Sequence, residues 1–231
     1  MELIVPVLVL VVGGLLWYFQ WKAKQARMQE MQQLAARHGW TWTEVDDSYV
    51  RDGGKPFGVG KSRRARNVLR GTYRGREIVA YDYEYKTESG SGDNRSTQTH
   101  KYAIWMVRLP AALPELEVRP EGIFGGRVAA ALGFGDLEVE SEDFNRTYRV
   151  TCDDKRFGTA VIHPRMMELL LSAASREEPV SWRIEGELLV SWREDHATPA
   201  EIVARLDLLA AIVDLVPSFV WKDYGKAVST G

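Results

Sequence analysis

Few residues in this chain are spaced for chemistry. Gly58-Val59-Gly60-Lys61-Ser62 ends like a phosphate-binding loop, in which curled backbone amides and a lysine hold the phosphates. That loop needs a glycine five positions before its second one, where this chain has Lys55. No apolar strand pattern precedes it and no helical pattern follows, so nucleotide binding is not expected. His38, His100, His163 and His196 each lack the i to i+4 partner of a helical zinc site and read as structural or solvated. Cys152 could be a nucleophile, but it falls on the apolar face of an alternating stretch, where a free cysteine is an inert buried thiol. Asp153 and Asp154 could bind a cation, yet helix capping explains them more simply. No Ser/His/Asp or paired-carboxylate spacing is present. No catalytic, metal-binding or cofactor-binding residue is therefore assigned, and no cofactor is expected.

One imbalance stands out. From residue 55 to 76 the chain carries Lys55, Lys61, Arg63, Arg64, Arg66, Arg70, Arg74 and Arg76 with no acid, in a protein of 30 basic and 32 acidic residues and net charge -2. Lys61, Arg63, Arg64 and Arg66 are the candidate contacts to an anionic surface, lipid headgroups first. The bland alternative is a solvated face neutralised across a hairpin by Asp82, Glu84 and Glu88. Nucleic acid is disfavoured by the overall charge balance. Tyr73, Tyr81, Tyr83 and Tyr85 could stack on bases, but aromatics on strands more often fill cores.

The elements that must position these residues begin with an apolar run. Residues 3–19 hold no charged side chain, and a helix of that length spans roughly 25 Å. That is short for a bilayer core but sufficient if Trp17, Tyr18 and Trp21 sit in the interface. Glu2 precedes the run and large aromatics follow it, unlike a cleaved signal peptide. Lys22, Lys24 and Arg27 flank its end, so the N-terminus should lie outside and the bulk in the cytoplasm. The expected layout is a transmembrane anchor over 1–21 and a juxtamembrane helix over 22–39, stopped by Gly39. A cytoplasmic region follows over 40–217, with a tail over 218–231.

Within 40–217 the pattern predicts strands at 40–45, 65–72 and 77–85, the last two joined by a turn at 73–76. A central strand follows at 101–109 and a proline-rich crossing segment at 110–120. Residues 121–136 are glycine-rich and could separate subregions 40–120 and 137–217. Phe144, Tyr148, Val150 and Cys152 share one face of an expected strand. A helix is predicted over 164–174, then strands meeting at a Glu185-Gly186 turn. Thr198-Pro199-Ala200-Glu201 is a capping box opening the last helix. Helices and strands do not alternate strictly, so the expected class is α+β, an antiparallel or mixed sheet packed against helices.

The run Phe144-Asn145-Arg146-Thr147-Tyr148-Arg149-Val150, then Asp153-Asp154, then His163-Pro164-Arg165-Met166-Met167-Glu168-Leu169-Leu170 resembles a family of uncharacterised, membrane-anchored actinobacterial proteins with a domain of unknown function. Gly71-Thr72-Tyr73-Arg74-Gly75-Arg76 and Ala204-Arg205-Leu206-Asp207-Leu208-Leu209-Ala210 are similar too. The resemblance implies the anchor and the layout and brings no catalytic residues. Two functions fit: a tethered, non-enzymatic module that binds a protein or a membrane surface, or a hydrolase-like enzyme whose site is assembled from distant residues.

Overall fold

The computed structural model describes residues 4–51, 56–90, 95–122, 135–176 and 178–226, with backbone alone for 4–12 and 135–136. The apolar run and the juxtamembrane segment form one continuous helix, α1 (Ile4–His38). Gly39, at φ 68, ends it, and the Trp40 amide returns to the Ala35 carbonyl at 2.9 Å, the closing bond of a Schellman turn. Met31, Leu34 and Ala35 are buried against the sheet. Leu15, Leu16, Trp17, Tyr18, Phe19 and Trp21 are exposed. Among the described residues no helix is long and apolar enough to cross a membrane. The side chains of 4–12, which carry the first part of the expected span, lie outside that description.

β1 (Thr41–Val45), β2 (Lys61–Tyr73), β3 (Arg76–Ser89) and β4 (Ser96–Pro120) follow. β5 (Gly135–Leu137), α2 (Glu142–Thr147), β6 (Tyr148–Cys152), α3 (Lys155–Val161) and α4 (Pro164–Ala174) come next. β7 (Ser181–Glu194), α5 (Pro199–Leu215) and α6 (Ser218–Asp223) complete the chain. The seven strands make one sheet in the order β1-β2-β3-β4-β6-β5, with β7 also on β4. Every strand pair is antiparallel, so the class is α+β. Strands from both expected subregions share this sheet.

β4 is its spine. β3 pairs with it as far as Val107, β6 pairs with Leu116 to Pro120, and β7 runs beside Ala103 to Val118. Pro110 and Pro114 fall between the β3 and β6 pairings, where the register against β7 also shifts. That is why a proline-rich segment expected to cross the fold is instead strand: its missing amides cost no ladder bond to β3 or β6. The expected Glu185-Gly186 turn is a bend within β7, with Gly186 at φ 58. The Ser191 hydroxyl donates to the Ser181 carbonyl at 2.8 Å, though ten extended residues would separate them by roughly 33 Å. The β4–β7 ribbon therefore folds back on itself.

The stretch expected as one strand from Phe144 divides. Ser141 caps α2 through the Phe144 amide, so Phe144 reaches the core from a helix and the strand begins at Tyr148. Arg74 and Gly75, both at positive φ, form the two-residue turn between β2 and β3. Thr198 and Glu201 make the reciprocal capping box of α5.

The sheet buries both faces. Ala80, Trp105, Leu116 and Trp182 join Leu206 and Leu209 of α5 in the larger core. Tyr81, Tyr83, Ile104, Met106 and Trp192 lie on the other face beneath Phe57.

Candidate functional site: a groove in the bent ribbon

Lys61, Arg63, Arg64 and Arg66 lie on the first residues of β2, and acids meet three of them. Lys61 Nζ is 3.4 Å from Glu88 Oε2, Arg66 Nε is 3.5 Å from Glu84 Oε2, and Arg64 pairs with Asp47. Arg63 donates to the Arg51 carbonyl at 3.2 Å. Farther along, Arg74 pairs with Asp207 at 2.6 Å and Arg76 with Asp214 at 2.5 Å. Glu84 and Glu88 act across the hairpin. Asp82 turns inward and accepts from Arg27 of α1 at 2.9 Å and from Asn67 at 2.8 Å. Lys55 lies outside the described residues.

The remaining candidates take structural places. Gly60 is pressed against Tyr85, where an added β-carbon would sit 2.5 Å from Cδ2. Lys61 then opens a strand, so no helix N-terminus stands behind that loop. Cys152 is 1% exposed, and burial pushes its thiol pKa up. Gly158 packs so closely on it that a β-carbon would lie 2.5 Å from Sγ. Asp154 caps α3 through the Arg156 and Phe157 amides at 2.9 and 3.1 Å. His38 stacks on Trp40 at 4.4 Å. His100 Nε2 meets the Thr87 hydroxyl at 2.8 Å, and His163 Nε2 meets the Leu215 carbonyl at 2.9 Å. Among the described residues no three His, Cys, Asp or Glu side chains are grouped to hold a metal.

The bend creates a site that sequence reading missed. Where the two arms of the ribbon approach, they enclose a groove of about 770 Å³. One wall is an aromatic ladder: Tyr85 stacks on His100 at 4.7 Å and lies parallel to Tyr102 at 5.9 Å. Burial, with Tyr85 alongside, pushes the Tyr102 hydroxyl pKa up, and that hydroxyl reaches Glu194 at 3.4 Å. Asp195, at φ 62, is pinned by its amide on the Lys101 carbonyl at 2.9 Å. Across the groove the Arg119 guanidinium lies 5.4 Å from the centre of the Trp192 ring. Arg193 is held by Glu201 at 2.7 Å, and Arg205 by the Ser191 hydroxyl at 3.2 Å. The lining carries Arg119, Arg193 and Arg205 against Glu178, Glu194 and Asp195.

The fold sets the sheet's position along α1. Trp40 donates to the Thr72 carbonyl beside the C-terminal end of the helix, next to the turn where β3 starts. Arg27 meets Asp82. Eleven helical residues, about 16 Å, thus run beside six strand residues, about 20 Å, in the opposite direction. Three more residues along β3, about 10 Å, lead to Tyr85, which packs in the core on the sheet face opposite α1. The first residues of β2 and the last of β3 lie at the end of the sheet nearest the exposed aromatics of α1.

No family model and no curated protein matches the chain. Among solved structures, the fold is similar to the crystal structure of the mycobacterial trehalose monomycolate transport factor A, TtfA. The TM-score is 0.61 at 11% identity, over 87% of this chain and 98% of that chain. At that identity the likeness is one of fold. Its mycobacterial source agrees loosely with the actinobacterial resemblance seen in the sequence.

Proposed function

We propose that the chain is a single-pass, membrane-tethered binding module, with its N-terminus outside and its α+β domain on the cytoplasmic face. One observation carries this reading: α1 has no break between its apolar part and its docked part. Leu15 to Phe19 and Trp21 present large hydrophobic side chains outward, and six residues after Trp21 the same helix is locked to the sheet. Exposing that much apolar surface to water is costly, and a bilayer removes the cost. Lys22, Lys24 and Arg27 supply the cytoplasmic flank. The acid-paired setting of β2 supports binding rather than catalysis. A role in transport is compatible with the name of the structural neighbour, a transport factor.

Removing residues 1–20 should shift the protein from the membrane pellet to the soluble fraction, since no other apolar stretch is long enough to span. Retention of the truncated protein in membranes after a high-salt wash would sink the single-anchor reading.

Lys61, Arg63, Arg64 and Arg66 form a second contact in this reading, because they sit at the end of the sheet that faces the bilayer. Their acid partners dilute the attraction of roughly 1 kcal/mol that each unpaired basic residue would have for anionic lipid. Changing all four to Ser should weaken binding of the full chain's domain to phosphatidylglycerol vesicles at low salt while leaving the anchor in place. Equal binding by the fourfold variant would reduce the cluster to an ordinary ion-paired face.

A further inference from the structure

We propose that the groove at the bend of the β4–β7 ribbon binds the zwitterionic phosphoammonium head of a membrane lipid. The proposal rests on the tethered reading only for the source of the ligand; its chemistry comes from the groove.

The two walls differ in what they attract. On one, the half-exposed Tyr102 ring, backed by Tyr85, offers a π face beside the carboxylates of Glu194 and Asp195. An aromatic face next to carboxylates is where an ammonium group gains most. On the other, Arg119, paired through Nε with Glu117, lies over Trp192, and a guanidinium carries its donors around its planar edge, the geometry that suits phosphate oxygens. Arg193 stands nearby, oriented by Glu201.

The charge count narrows the class. The lining carries carboxylates and guanidinium groups together, with Arg119 already paired with Glu117 and Arg193 with Glu201, so neither sign dominates it. A head bearing one charge of each sign satisfies both walls. The volume of about 770 Å³ suits a headgroup together with its glycerol.

The test uses the full chain in a neutral detergent, so that anchoring is not at issue, and reads bound ligand by native mass spectrometry. The probes are short-chain phosphatidylethanolamine, phosphatidylglycerol of the same chain length, a diglucosyl diacylglycerol and free phosphoethanolamine. Phosphatidylethanolamine should bind about tenfold more tightly than the other two lipids and than the free head. Glu194→Gln and Tyr102→Leu should each remove most of that preference while keeping the thermal midpoint of the parent. Equal or tighter binding of phosphatidylglycerol or of the diglucosyl lipid overturns the zwitterion assignment. Free phosphoethanolamine binding as tightly as the lipid overturns the membrane source. Unchanged binding by two folded variants removes the groove as the site. If the truncation experiment contradicts the anchor while phosphatidylethanolamine still binds here, the tether fails and the groove stands.

Discussion

The two parts of α1 share one backbone geometry and have opposite surroundings. From Leu15 to Phe19, and again at Trp21, the side chains are large, hydrophobic and exposed. From Arg27 to His38 the helix lies on the sheet: Met31, Leu34 and Ala35 are buried, Arg27 reaches Asp82, and His38 stacks on Trp40. The difference is one of solvent. The second part satisfies its apolar and charged groups within the protein, and the first is left for an apolar phase to satisfy. Because no loop separates them, whatever orients the outer part also orients the sheet. The domain would then be held against the membrane at a fixed height rather than swinging on a linker.

The sharpest way to break this comparison is to release the docked part without touching the outer one. Arg27 is 16% exposed in its side chain and Asp82 only 4%. Arg27→Ala would strand a buried carboxylate with Asn67 as its remaining side-chain partner among the described residues, so it should cost about 3 kcal/mol in a denaturant titration. Membrane fractionation should be unchanged. A loss below about 1 kcal/mol would mean that apolar packing, not this pair, fixes α1 to the sheet.

The second junction tests packing rather than charge. Trp40 donates to the Thr72 carbonyl at 3.1 Å and lies directly on Gly71, where an added β-carbon would meet its Cδ1 and Cγ. The Trp40 ring is held by strand and helix together, so it cannot yield cheaply. Gly71→Ala should therefore cost about 2 kcal/mol through overpacking. In a double-mutant cycle with Trp40→Ala, most of the penalty of Gly71→Ala should disappear, because the Cδ1 and Cγ it collides with are gone. Strict additivity of the two changes would show that they do not touch in the way described.

How much of this could be read in the sequence follows from the range of the interactions involved. The capping box at Thr198, the turn at Arg74-Gly75 and the helix opened by Pro164 are local, and local residue types dictate them. The strand expected from Phe144 failed because its alternation also fits a short helix followed by a strand, and the Ser141 cap decides between them. The prolines of β4 were misleading because their tolerance depends on an edge that exists only once β3 and β6 are in place. The basic run looked unpaired because the partners of Arg74 and Arg76 are Asp207 and Asp214, which lie far along the chain on α5. The groove was invisible for the same reason. Its walls draw on β3, β4, β7 and α5, and the bend in β7 brings Arg119, Pro120 and Ser181 to the paired strands that carry Tyr85, Tyr102 and Trp192.

The smallest expected effect comes from a charge pair of the same type as Arg27–Asp82 but placed at the surface. Glu201 accepts from Arg193 at 2.7 Å and from the Thr198 amide at 2.6 Å, and these bonds hold its carboxyl at about 2. Its side chain is 37% exposed, so solvent screens the pair and its net worth stays below about 1 kcal/mol. The sign is set by linkage. A carboxyl whose folded pKa lies below its unfolded value of 4.5 contributes stability above that pH and loses it as pH falls toward about 2. Glu201→Gln keeps an oxygen able to accept from the Thr198 amide and removes only the charge. Parent and variant should thus differ slightly at pH 6, and the gap should close as the pH is lowered to about 2. A gap that stayed constant across that range would locate the effect in the cap's geometry rather than in its charge. A gap as large as that of Arg27→Ala would mean that burial does not separate the two pairs, and the contrast between the docked helix and the exposed surface would lose its electrostatic basis.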